Sequence, residues 1–349
     1  MESKIGVSIF GVSGYTGIEL LRLLSSHPVF KVTSVHANKN AGSHIGDIYP
    51  HMSVLKTVPK ISPTDDAAIS SIPEDVSVVF LALPHGYSHH AVRILPSHVR
   101  VIDLSGDFRL KARNEYEKWY GAPHNAMDLQ DSAVFGIPEL YRDKICNAHL
   151  IANPGCYVTS ILIPLVPLIK RGVISIDGIV IDSKSGISGA GRLPTQPAHY
   201  CEASEGITAY GICTHRHNGE ISQELCIAAE GRPVDFRFVP HLLPQKRGIM
   251  STIYVEGSAS TIHKTLTECY QNEPFVKILN EGSIPSTHHV NASNMLMIGV
   301  AQDNNPKYSF IVSCLDNLIK GASGQALQNA NIACGLPEIY GLDTPPVFP

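Results

Sequence analysis

The first half of the chain alternates short apolar segments with helical patterns. Four segments are typical of buried strands: "KIGVSIFG" (4–11), "FKVTSVHA" (30–37), "VSVVFLALP" (76–84) and "VRVIDLSG" (99–106). Between the first two, "IELLRLLSS" (18–26) predicts a buried helix that stops before Pro28. Strands that alternate with helices predict an α/β fold with a doubly wound parallel sheet.

The pattern changes after about residue 155. Longer strand-like segments follow at 172–191, 233–257 and 293–317, and the last of them is typical of a hairpin around "NNP" (304–306). These segments predict a second, α+β domain with a mixed or antiparallel sheet. The final "NLIKGASGQALQNANIACG" (317–335) predicts a helix that packs back on the first domain. We therefore expect domains at 1–155 and 156–316, with 317–349 completing the first.

Composition narrows the class of protein. The 349 residues are 44% apolar and 17% charged, with a net charge of −4, which is typical of a globular protein and not of a general nucleic-acid binder. The longest apolar run, "VTSILIPLVPLI" (158–169), is too short to span a bilayer. The start of the chain has no signal-peptide pattern, and the eight cysteines form no CxxC pair. We expect a cytoplasmic protein that binds no metal, membrane or nucleic acid.

Three glycines lie between the first strand and the first helix. Gly11, Gly14 and Gly17 let the backbone approach a pyrophosphate, and the helix start offers N–H groups and the positive end of its dipole. The spacing is GxxGxxG and not GxGxxG, so a tight turn without a ligand is the alternative. The strand before and the helix after favour a dinucleotide cofactor.

The end of the second strand bears on the identity of that cofactor. NAD sites usually have an acidic residue there, which binds the ribose 2′-hydroxyl. Here the strand ends in His36, Ala37, Asn38 and Lys39, with no acid. This end suits a 2′-phosphate and favours NADP, the alternative being that Lys39 is merely solvated.

One cysteine stands at a predicted helix start. Cys156 directly follows Asn153-Pro154-Gly155 and precedes an apolar helix. A helix N-terminus stabilises a thiolate, and its N–H groups can hold an oxyanion. A buried core cysteine is the alternative for any cysteine taken singly.

A second cluster, "GICTHRHNGEISQEL" (211–225), supplies acid–base groups. His215 and His217 precede a helical pattern, and Glu220 follows three residues after His217. Either histidine could act as a general base that Glu220 orients. Alternatively, His217 is a loop residue and Glu220 a favourable charge in the first turn of a helix.

These motifs resemble one family, the N-acetyl-γ-glutamyl-phosphate reductases of arginine biosynthesis. The resemblance runs along nearly the whole chain and rests on these segments: "GVSGYTGIELLRLL", "DLSGDFRL", "YGAPH", "VFGIPEL", "NPGCYVT", "DSKSGISGAGR", "HYCEASEGITAYGI", "HRHNGEI", "FVPHLLPQKRGI" and "DNLIKGASGQALQN". It implies a Rossmann-type domain and a catalytic domain, as in glyceraldehyde-3-phosphate and aspartate-semialdehyde dehydrogenases. It also implies NADPH as the hydride donor.

The resemblance assigns roles to residues of this chain. Cys156 would be the nucleophile and His217 the general acid/base, with Glu220 beside it. Gly14, Thr16 and Gly17 would lie at the cofactor phosphates. The full set of expected cofactor contacts is Gly11, Gly14, Tyr15, Thr16, Gly17, His36, Asn38, Lys39, Pro84, Ser185, Gly186 and Asn317.

The chemistry of an acyl phosphate fits these residue types. Thiolate attack would expel phosphate and give a thioester, which hydride reduces to a thiohemiacetal that collapses to the aldehyde. Arg109 and Arg192 are candidates for binding the phosphate and carboxylate, although structural ion pairs are equally probable for them. Tyr200 and Glu202 are weaker candidates on the substrate side.

Alternatives to this function differ in substrate or in class. A related lysine-pathway reductase acts on a carrier-bound aminoadipyl phosphate, and aspartyl phosphate is a more distant option. A catalytically inactive NADP-sensing protein is the third. Three departures from the family pattern, Ser160, Pro164 and Gly219, lie close to the expected chemistry. The apolar strands of the second domain predict a homodimer or homotetramer, because an open sheet face must be covered.

Overall fold

The computed structural model describes residues 4–348. The strands, in chain order, are β1 Ile5–Phe10, β2 Phe30–His36, β3 Val76–Leu81, β4 Arg100–Asp103, β5 Ala133–Phe135, β6 Leu150–Ala152, β7 Ile179–Gly186, β8 Thr208–Ala209, β9 Phe236–Leu243, β10 Ile249–Glu256, β11 Val276–Ile278, β12 Leu296–Gln302 and β13 Tyr308–Leu315.

The helices, in chain order, are α1 Tyr15–Ser25, α2 Ile45–Ile48, α3 Asp66–Ser70, α4 Ser88–Ile94, α5 Arg113–Tyr120, α6 Met127–Gln130, α7 Pro138–Ile145, α8 Cys156–Lys170, α9 Tyr200–Ala203, α10 His217–Ala228, α11 Ala259–Tyr270 and α12 Gly324–Ala333. A π-helical turn, Ile319–Ser323, precedes α12.

The chain forms two compact units. Within the described residues, unit 1 consists of 4–154 and 322–343, and unit 2 consists of 155–321 and 344–348. The chain therefore returns from unit 2 to unit 1 between Gly321 and Ala322, five residues later than the boundary that we expected. The last residues, expected in the first unit, lie in the second, where the Val347 amide donates to the Asn291 carbonyl at 2.9 Å.

Unit 1 is built on a parallel sheet, as the alternation of strands and helices predicted. Over its described residues the strand order is β2-β1-β3-β4-β6-β5, and each neighbouring pair is parallel. Phe10, Val79, Leu81 and Val101 are buried in its core. Because β1 and β3 are neighbours and parallel, the loops that leave their carboxyl ends lie side by side at one edge of the sheet.

Unit 2 is built on a mixed sheet, also as expected. Over its described residues the strand order is β11-β12-β13-β10-β7-β9-β8. β12 and β13 form the predicted antiparallel hairpin. β9 and β10, although consecutive, do not pair, because β7 lies between them, parallel to β9 and antiparallel to β10. Local sequence does not reveal such an insertion, since pairing between distant strands depends on the whole sheet.

Helix α8 is the central helix of unit 2. Its residues from Tyr157 to Ile169 are all buried, which explains why its sequence is apolar on every side. Pro164 and Pro167 lie inside it, and each lacks the amide that would bond the carbonyl four residues earlier. The Tyr270 hydroxyl of α11 donates to the Ile163 carbonyl, which Pro167 leaves without its helical donor.

Candidate active site

The glycine loop of unit 1 fits closely around the start of α1. Gly11 has φ +87°, and a side chain there would collide with the Ala82 carbonyl. A side chain at Gly17 would collide with the Gly11 carbonyl. Gly14 is the N-cap of α1, and the first turn contains no acidic residue. The helix start therefore keeps its positive end and its N–H groups for an anion.

The other cofactor contacts expected in unit 1 lie around this loop or at the end of β2. Tyr15, Asn38, Lys39 and Pro84 are exposed. The Asn38 side-chain oxygen accepts a bond from the Thr64 amide at 2.6 Å, so it also fixes the turn after β2. The Thr16 carbonyl accepts the Ser323 hydroxyl at 2.8 Å.

His36 has a structural role that the sequence did not reveal. Its ring is 4% exposed and stacks on Phe10 with the ring centroids 4.1 Å apart. One ring nitrogen lies 3.0 Å from the Pro63 carbonyl and the other 3.1 Å from the Ser34 hydroxyl. Burial lowers the pKa of the ring. This side chain packs β2 against β1, and its expected contact with a cofactor stays a prediction.

Cys156 is the first residue of α8 in unit 2. Gly155 before it is extended, with φ −69° and ψ 153°, and forms the N-cap. The thiol-bearing residue is partly exposed, whereas the residues that follow it in the helix are buried. The first turn contains no acidic residue. Within its own first turn, α8 therefore places no negative side chain between the positive end of its dipole and this cysteine.

His217 and Glu220 lie at the start of α10 and reach the residue before Cys156. One Glu220 carboxylate oxygen accepts the Gly155 amide at 3.0 Å, and the other lies 3.9 Å from His217 Nε2. A side chain at Gly155 would collide with the His217 ring. The glycine of "NPGC" therefore leaves room for the imidazole, and Glu220 joins the starts of α8 and α10.

The first histidine of the "HRH" motif, His215, has a lowered pKa. Burial, together with the neighbouring Arg216 charge, lowers the pKa of His215 to about 4. His215 is therefore neutral near pH 7, and its Nδ1 accepts the His217 amide at 3.2 Å. It positions the start of α10 and packs edge-on against the His217 ring with centroids 4.6 Å apart.

Two tyrosines beside this cluster were not predicted from the sequence. The hydroxyls of Tyr157 and Tyr210 lie 3.2 Å apart, and that of Tyr157 also donates to the His241 carbonyl. Burial raises the pKa of Tyr210 to about 12, and negative charge on Cys156 acts in the same direction. Tyr157 directly follows the cysteine in "GCY", which is the signal that could have identified it.

The cofactor contacts expected in unit 2 are Ser185 and Gly186, at the end of β7, and Asn317, just after β13; the family resemblance implies that they lie near the nicotinamide. Ser185 is 1% exposed, and a side chain at Gly186 would lie 2.8 Å from the Arg247 amide nitrogen. The Asn317 amide group bonds on both sides, accepting the Gly248 amide at 2.8 Å and donating to the Ser188 hydroxyl at 2.9 Å. Asn317 therefore fixes the loop after β7 relative to the turn before β10.

Arg109, a candidate for binding an anion, is buried within unit 1. It is 6% exposed, its Nε donates to the Asn153 carbonyl at 2.8 Å, and its Nη2 donates to the Leu104 carbonyl at 2.9 Å. These bonds hold the segment that leads to Cys156. The other substrate candidates, Arg192, Tyr200 and Glu202, are exposed on the segment between β7 and β8 in unit 2.

Two of the three departures from the family pattern have structural explanations. The Ser160 hydroxyl lies 2.7 Å from that of Ser251, which lies 2.7 Å from that of Ser183, so α8 is joined to β10 and β7. Pro164 lies in the fully buried part of α8, where packing on every side holds the helix. Gly219 is buried in the first turn of α10, and nothing in the structure explains the choice of glycine there.

Residues 4–348 also bear on metal binding and on membrane insertion. That part of the chain holds no group of three or more histidine, cysteine or acidic residues arranged for a metal ion. None of its helices combines the length and apolar character that crossing a bilayer requires.

Comparisons with known proteins agree with this architecture. Residues 6–148 match the family described as semialdehyde dehydrogenase, NAD binding domain, and residues 156–317 match semialdehyde dehydrogenase, dimerisation domain. Aspartate semialdehyde dehydrogenase II from Vibrio cholerae has the same fold, with a TM-score of 0.70 over 95% of this chain and 99% of that one, at 16% identity. The enzyme from Candida albicans, solved with NADP, gives 0.69 over 95% and 98%, also at 16%.

The most informative matches are full-length relatives. A probable N-acetyl-gamma-glutamyl-phosphate reductase, chloroplastic, from Arabidopsis thaliana is 46% identical, and the match covers 100% of this chain and 86% of that protein. The N-acetyl-gamma-glutamyl-phosphate reductase of Rhodospirillum rubrum is 44% identical, with 100% of both chains covered. Taken with the fold and the Cys156–His217–Glu220 cluster, these matches show that the chain belongs to the N-acetyl-gamma-glutamyl-phosphate reductase family of oxidoreductases.

Proposed function

We propose that this protein reduces N-acetyl-L-glutamyl 5-phosphate to N-acetyl-L-glutamate 5-semialdehyde and phosphate in arginine biosynthesis, with NADPH as the reductant and through a thioester on Cys156. The names of its full-length relatives support the reaction. The observation that carries the mechanism is the position of Cys156 at the α8 start, with Glu220 bonded to the preceding amide and in reach of His217.

The thiolate is the attacking group in this mechanism. A helix start stabilises an adjacent negative charge by about 0.3–1 kcal/mol, which changes the thiolate population roughly fivefold at most. That effect alone is small, so a nearby base is needed as well. His217 takes the thiol proton, and Glu220 stabilises the resulting imidazolium. The thiolate then attacks the acyl carbon, the C–O bond to phosphate breaks, and the leaving phosphate takes a proton from solvent, so the imidazolium of His217 keeps its own.

His217 also transfers the proton that the reduction step needs. NADPH, when bound, would supply the hydride that reduces the thioester. The imidazolium of His217 protonates the oxyanion of the thiohemiacetal, and the imidazole takes that proton back as the C–S bond breaks and the aldehyde leaves. Neutral His215, with its pKa of about 4, serves as a fixed acceptor for the His217 amide in both steps.

The residues of unit 1 fit a dinucleotide phosphate. Gly11 and Gly17 admit no side chain, and the α1 start has no acidic residue in its first turn. Gly14, Thr16 and Gly17 would hold the pyrophosphate through backbone N–H groups. The exposed Lys39 and Asn38 follow β2 where NAD enzymes carry an acid, and they would hold the 2′-phosphate.

Binding of the substrate anions is assigned to exposed cations. Arg192 is our candidate for the phosphate or carboxylate, because a guanidinium binds either one through two hydrogen bonds. Arg109 would act indirectly, since its guanidinium bonds the Asn153 and Leu104 carbonyls and so holds the approach to Cys156. Tyr200 and Glu202 complete the proposed substrate side.

Assembly and compartment are part of the proposal. The matched family of residues 156–317 is described as a dimerisation domain. One face of the unit 2 sheet leaves Tyr254 and Tyr308 39% and 42% exposed, and we propose that a homodimer or homotetramer covers it. The protein is proposed to act in the cytoplasm, although one relative is named as chloroplastic.

Intact-protein mass measurement tests the mechanism. Substrate added without NADPH should give an acyl adduct on wild type and none on Cys156→Ser, which should still bind NADPH but lose nearly all activity. The aminoadipyl analogue, offered free and as a carrier conjugate, tests the lysine-pathway alternative. Absence of any adduct, with full turnover of the serine variant, would show that hydride goes directly to the acyl phosphate. Absence of both adduct and turnover would favour the NADP-sensing alternative.

A further inference from the structure

The turn that follows β13 is a π-helical turn at the end of unit 2. The Gly321 amide donates to the Asp316 carbonyl at 2.9 Å, five residues earlier, which is the bond of a π-helix. Such turns are rare in proteins, and those that occur often lie at functional sites. No residue from Asp316 to Gly321 has a role in the function proposed above, apart from Asn317.

Asp316 holds this turn from inside the unit. It is fully buried, and its Oδ1 accepts the Leu318 amide at 2.9 Å and the Ile319 amide at 3.2 Å. Its Oδ2 accepts the Ala292 amide at 2.9 Å. Lys320, also fully buried, extends its ammonium group over the Phe275 ring, 5.9 Å from the centroid. The turn is therefore fixed by buried charged side chains.

The fixed turn places Gly321, which has no side chain, directly beside Cys156. A Cβ at Gly321 would lie 2.8 Å from the Cys156 Cβ, 3.2 Å from Leu315 Cδ1 and 3.3 Å from the Asp316 carbonyl oxygen. The first distance is shorter than carbon atoms tolerate without displacement. The other two contacts restrict how far a new methyl group could move away from Cys156.

The cysteine in turn has little freedom to retreat. The body of α8 behind it is buried on all sides. On its N-terminal side, the Gly155 amide is bonded to Glu220, and the His217 ring fills the space beside Gly155. Close-packed interiors transmit such displacements instead of absorbing them.

We propose that Gly321 is a positioning residue for the Cys156 thiol: the π-helical turn holds its bare backbone against Cys156 Cβ and so limits where the sulfur lies. This inference rests on the proposed function in that it takes Cys156 as the nucleophile. Asp316 acts through Gly321, because it fixes the turn that carries the glycine.

Gly321→Ala tests the proposal. Displacement of a reacting atom by about 1 Å can lower a rate about 10²-fold, and we expect a loss of this order in thioester formation and in kcat, with KM for NADPH nearly unchanged. Iodoacetamide should label Cys156 at least about tenfold more slowly relative to exposed Cys146, an internal reference in the same molecule. The matched control is Gly206→Ala, whose new Cβ would lie 3.9 Å from its neighbours and change neither quantity.

Buried Cys314 reports whether the variant is merely unfolded. It is fully buried, and burial raises its pKa to about 12, so it should not react in the folded protein. Slower labelling of Cys156 with Cys314 still protected supports the proposal, and wild-type labelling and thioester formation in a folded Gly321→Ala protein overturn it. If Cys314 becomes reactive in Gly321→Ala, the second variant Asp316→Asn, which adds no heavy atom, decides between the outcomes. A change in the labelling rate of Cys156 alone supports the proposal, and an unchanged labelling rate overturns it.

The same measurements separate this inference from the proposed function. If wild type forms no thioester, the proposed mechanism fails, while the ratio of Cys156 to Cys146 alkylation still tests the position of the thiol. If wild type forms the thioester and Gly321→Ala forms it equally fast, the mechanism stands and the positioning role fails.

Discussion

The starts of α1 and α8 use the same physical feature for different purposes. Both follow a glycine N-cap, Gly14 or Gly155, and neither has an acidic residue in its first turn. At α1 the first residue, Tyr15, is exposed, and glycines on either side leave the backbone bare. At α8 the first residue is the half-buried Cys156, and the chain's own Glu220 accepts the amide of the N-cap glycine.

The difference shows how surroundings decide what a helix start binds. At α1 the positive end of the dipole is kept for a charge that arrives from outside, which suits a cofactor phosphate. At α8, under the proposed function, it would act on a charge that the protein makes itself, the thiolate, and a histidine–carboxylate pair lies beside it. The first two of the following experiments each change one helix start and leave the other intact, and the last two change a neighbouring part of the same unit.

The largest effect is expected at α8. His217→Asn should lower kcat by about 10²–10⁴, the usual range for a lost general acid/base, while the affinity for NADPH at α1 stays the same. The control is His215→Asn. Because the pKa of His215 is about 4, its ring is already neutral near pH 7, and its removal should leave the dependence of kcat on pH near neutrality as in wild type. A His217→Asn enzyme within about threefold of wild type would contradict the role.

A smaller effect, confined to the cofactor, is expected at α1. Gly17→Ala would push against the Gly11 carbonyl and lie 2.7 Å from Val12 Cα. Losing about 1–2 kcal/mol of phosphate binding should raise KM for NADPH roughly tenfold. Thioester formation without NADPH serves as the internal control and should be unchanged. An unaltered KM in a folded variant would mean that the α1 start does not hold the cofactor.

A change at the end of β2 should have a smaller effect again, on the preference for NADPH over NADH. Lys39→Ala should lower the preference for NADPH over NADH about fivefold, as expected for one lost hydrogen bond from a charged group worth about 1 kcal/mol. Lys31→Ala, which removes another exposed lysine of the same region, is the matched control. The measurement is the ratio of kcat/KM for NADPH to kcat/KM for NADH in wild type and in the two variants. If this ratio is the same in all three proteins, Lys39 does not contact the 2′-phosphate.

The last change should have no effect on turnover, only on stability, and it separates the body of α8 from its start. Tyr270→Phe removes the donor to the Ile163 carbonyl, and leaving that buried group unbonded should lower the free energy of unfolding by about 1–2 kcal/mol. Turnover should not change, because the first turn of α8 is untouched. Tyr308→Phe, at a hydroxyl-bearing residue that is 42% exposed, should change neither stability nor turnover. Denaturant titration measures the difference.

The sequence predicted those helices and strands well that are indicated by apolar runs and turn residues within the segment itself. The first four strands, the first helix and the β12–β13 hairpin occur where apolar runs and turn residues indicated them. The parallel sheet and the mixed sheet are confirmed. The insertion of β7 between β9 and β10 was missed, because strand order is set by packing between segments about 50 residues apart.

The roles of single side chains were less predictable. His36, which we expect to contact the cofactor, also packs on Phe10 with both ring nitrogens bonded, and the sequence did not indicate this packing role. Arg109, a candidate for binding a substrate anion, also bonds two backbone carbonyls. A polar side chain gives the same sequence signal whether it binds a ligand or satisfies a buried carbonyl, since both need the same hydrogen bonds.

The sequence by itself determined the kind of protein: the glycine loop, the "NPGCY" and "HRHNGE" motifs and the alternation of strands and helices depend on neighbouring residues, whose conformations are set locally. The tertiary structure decided how the distant parts cooperate. Only packing joins Gly155 to Glu220, keeps His215 neutral near pH 7, and brings Gly321 against Cys156, 165 residues earlier in the chain. Such contacts form when the buried faces of separate segments close on one another, and no local pattern encodes that geometry.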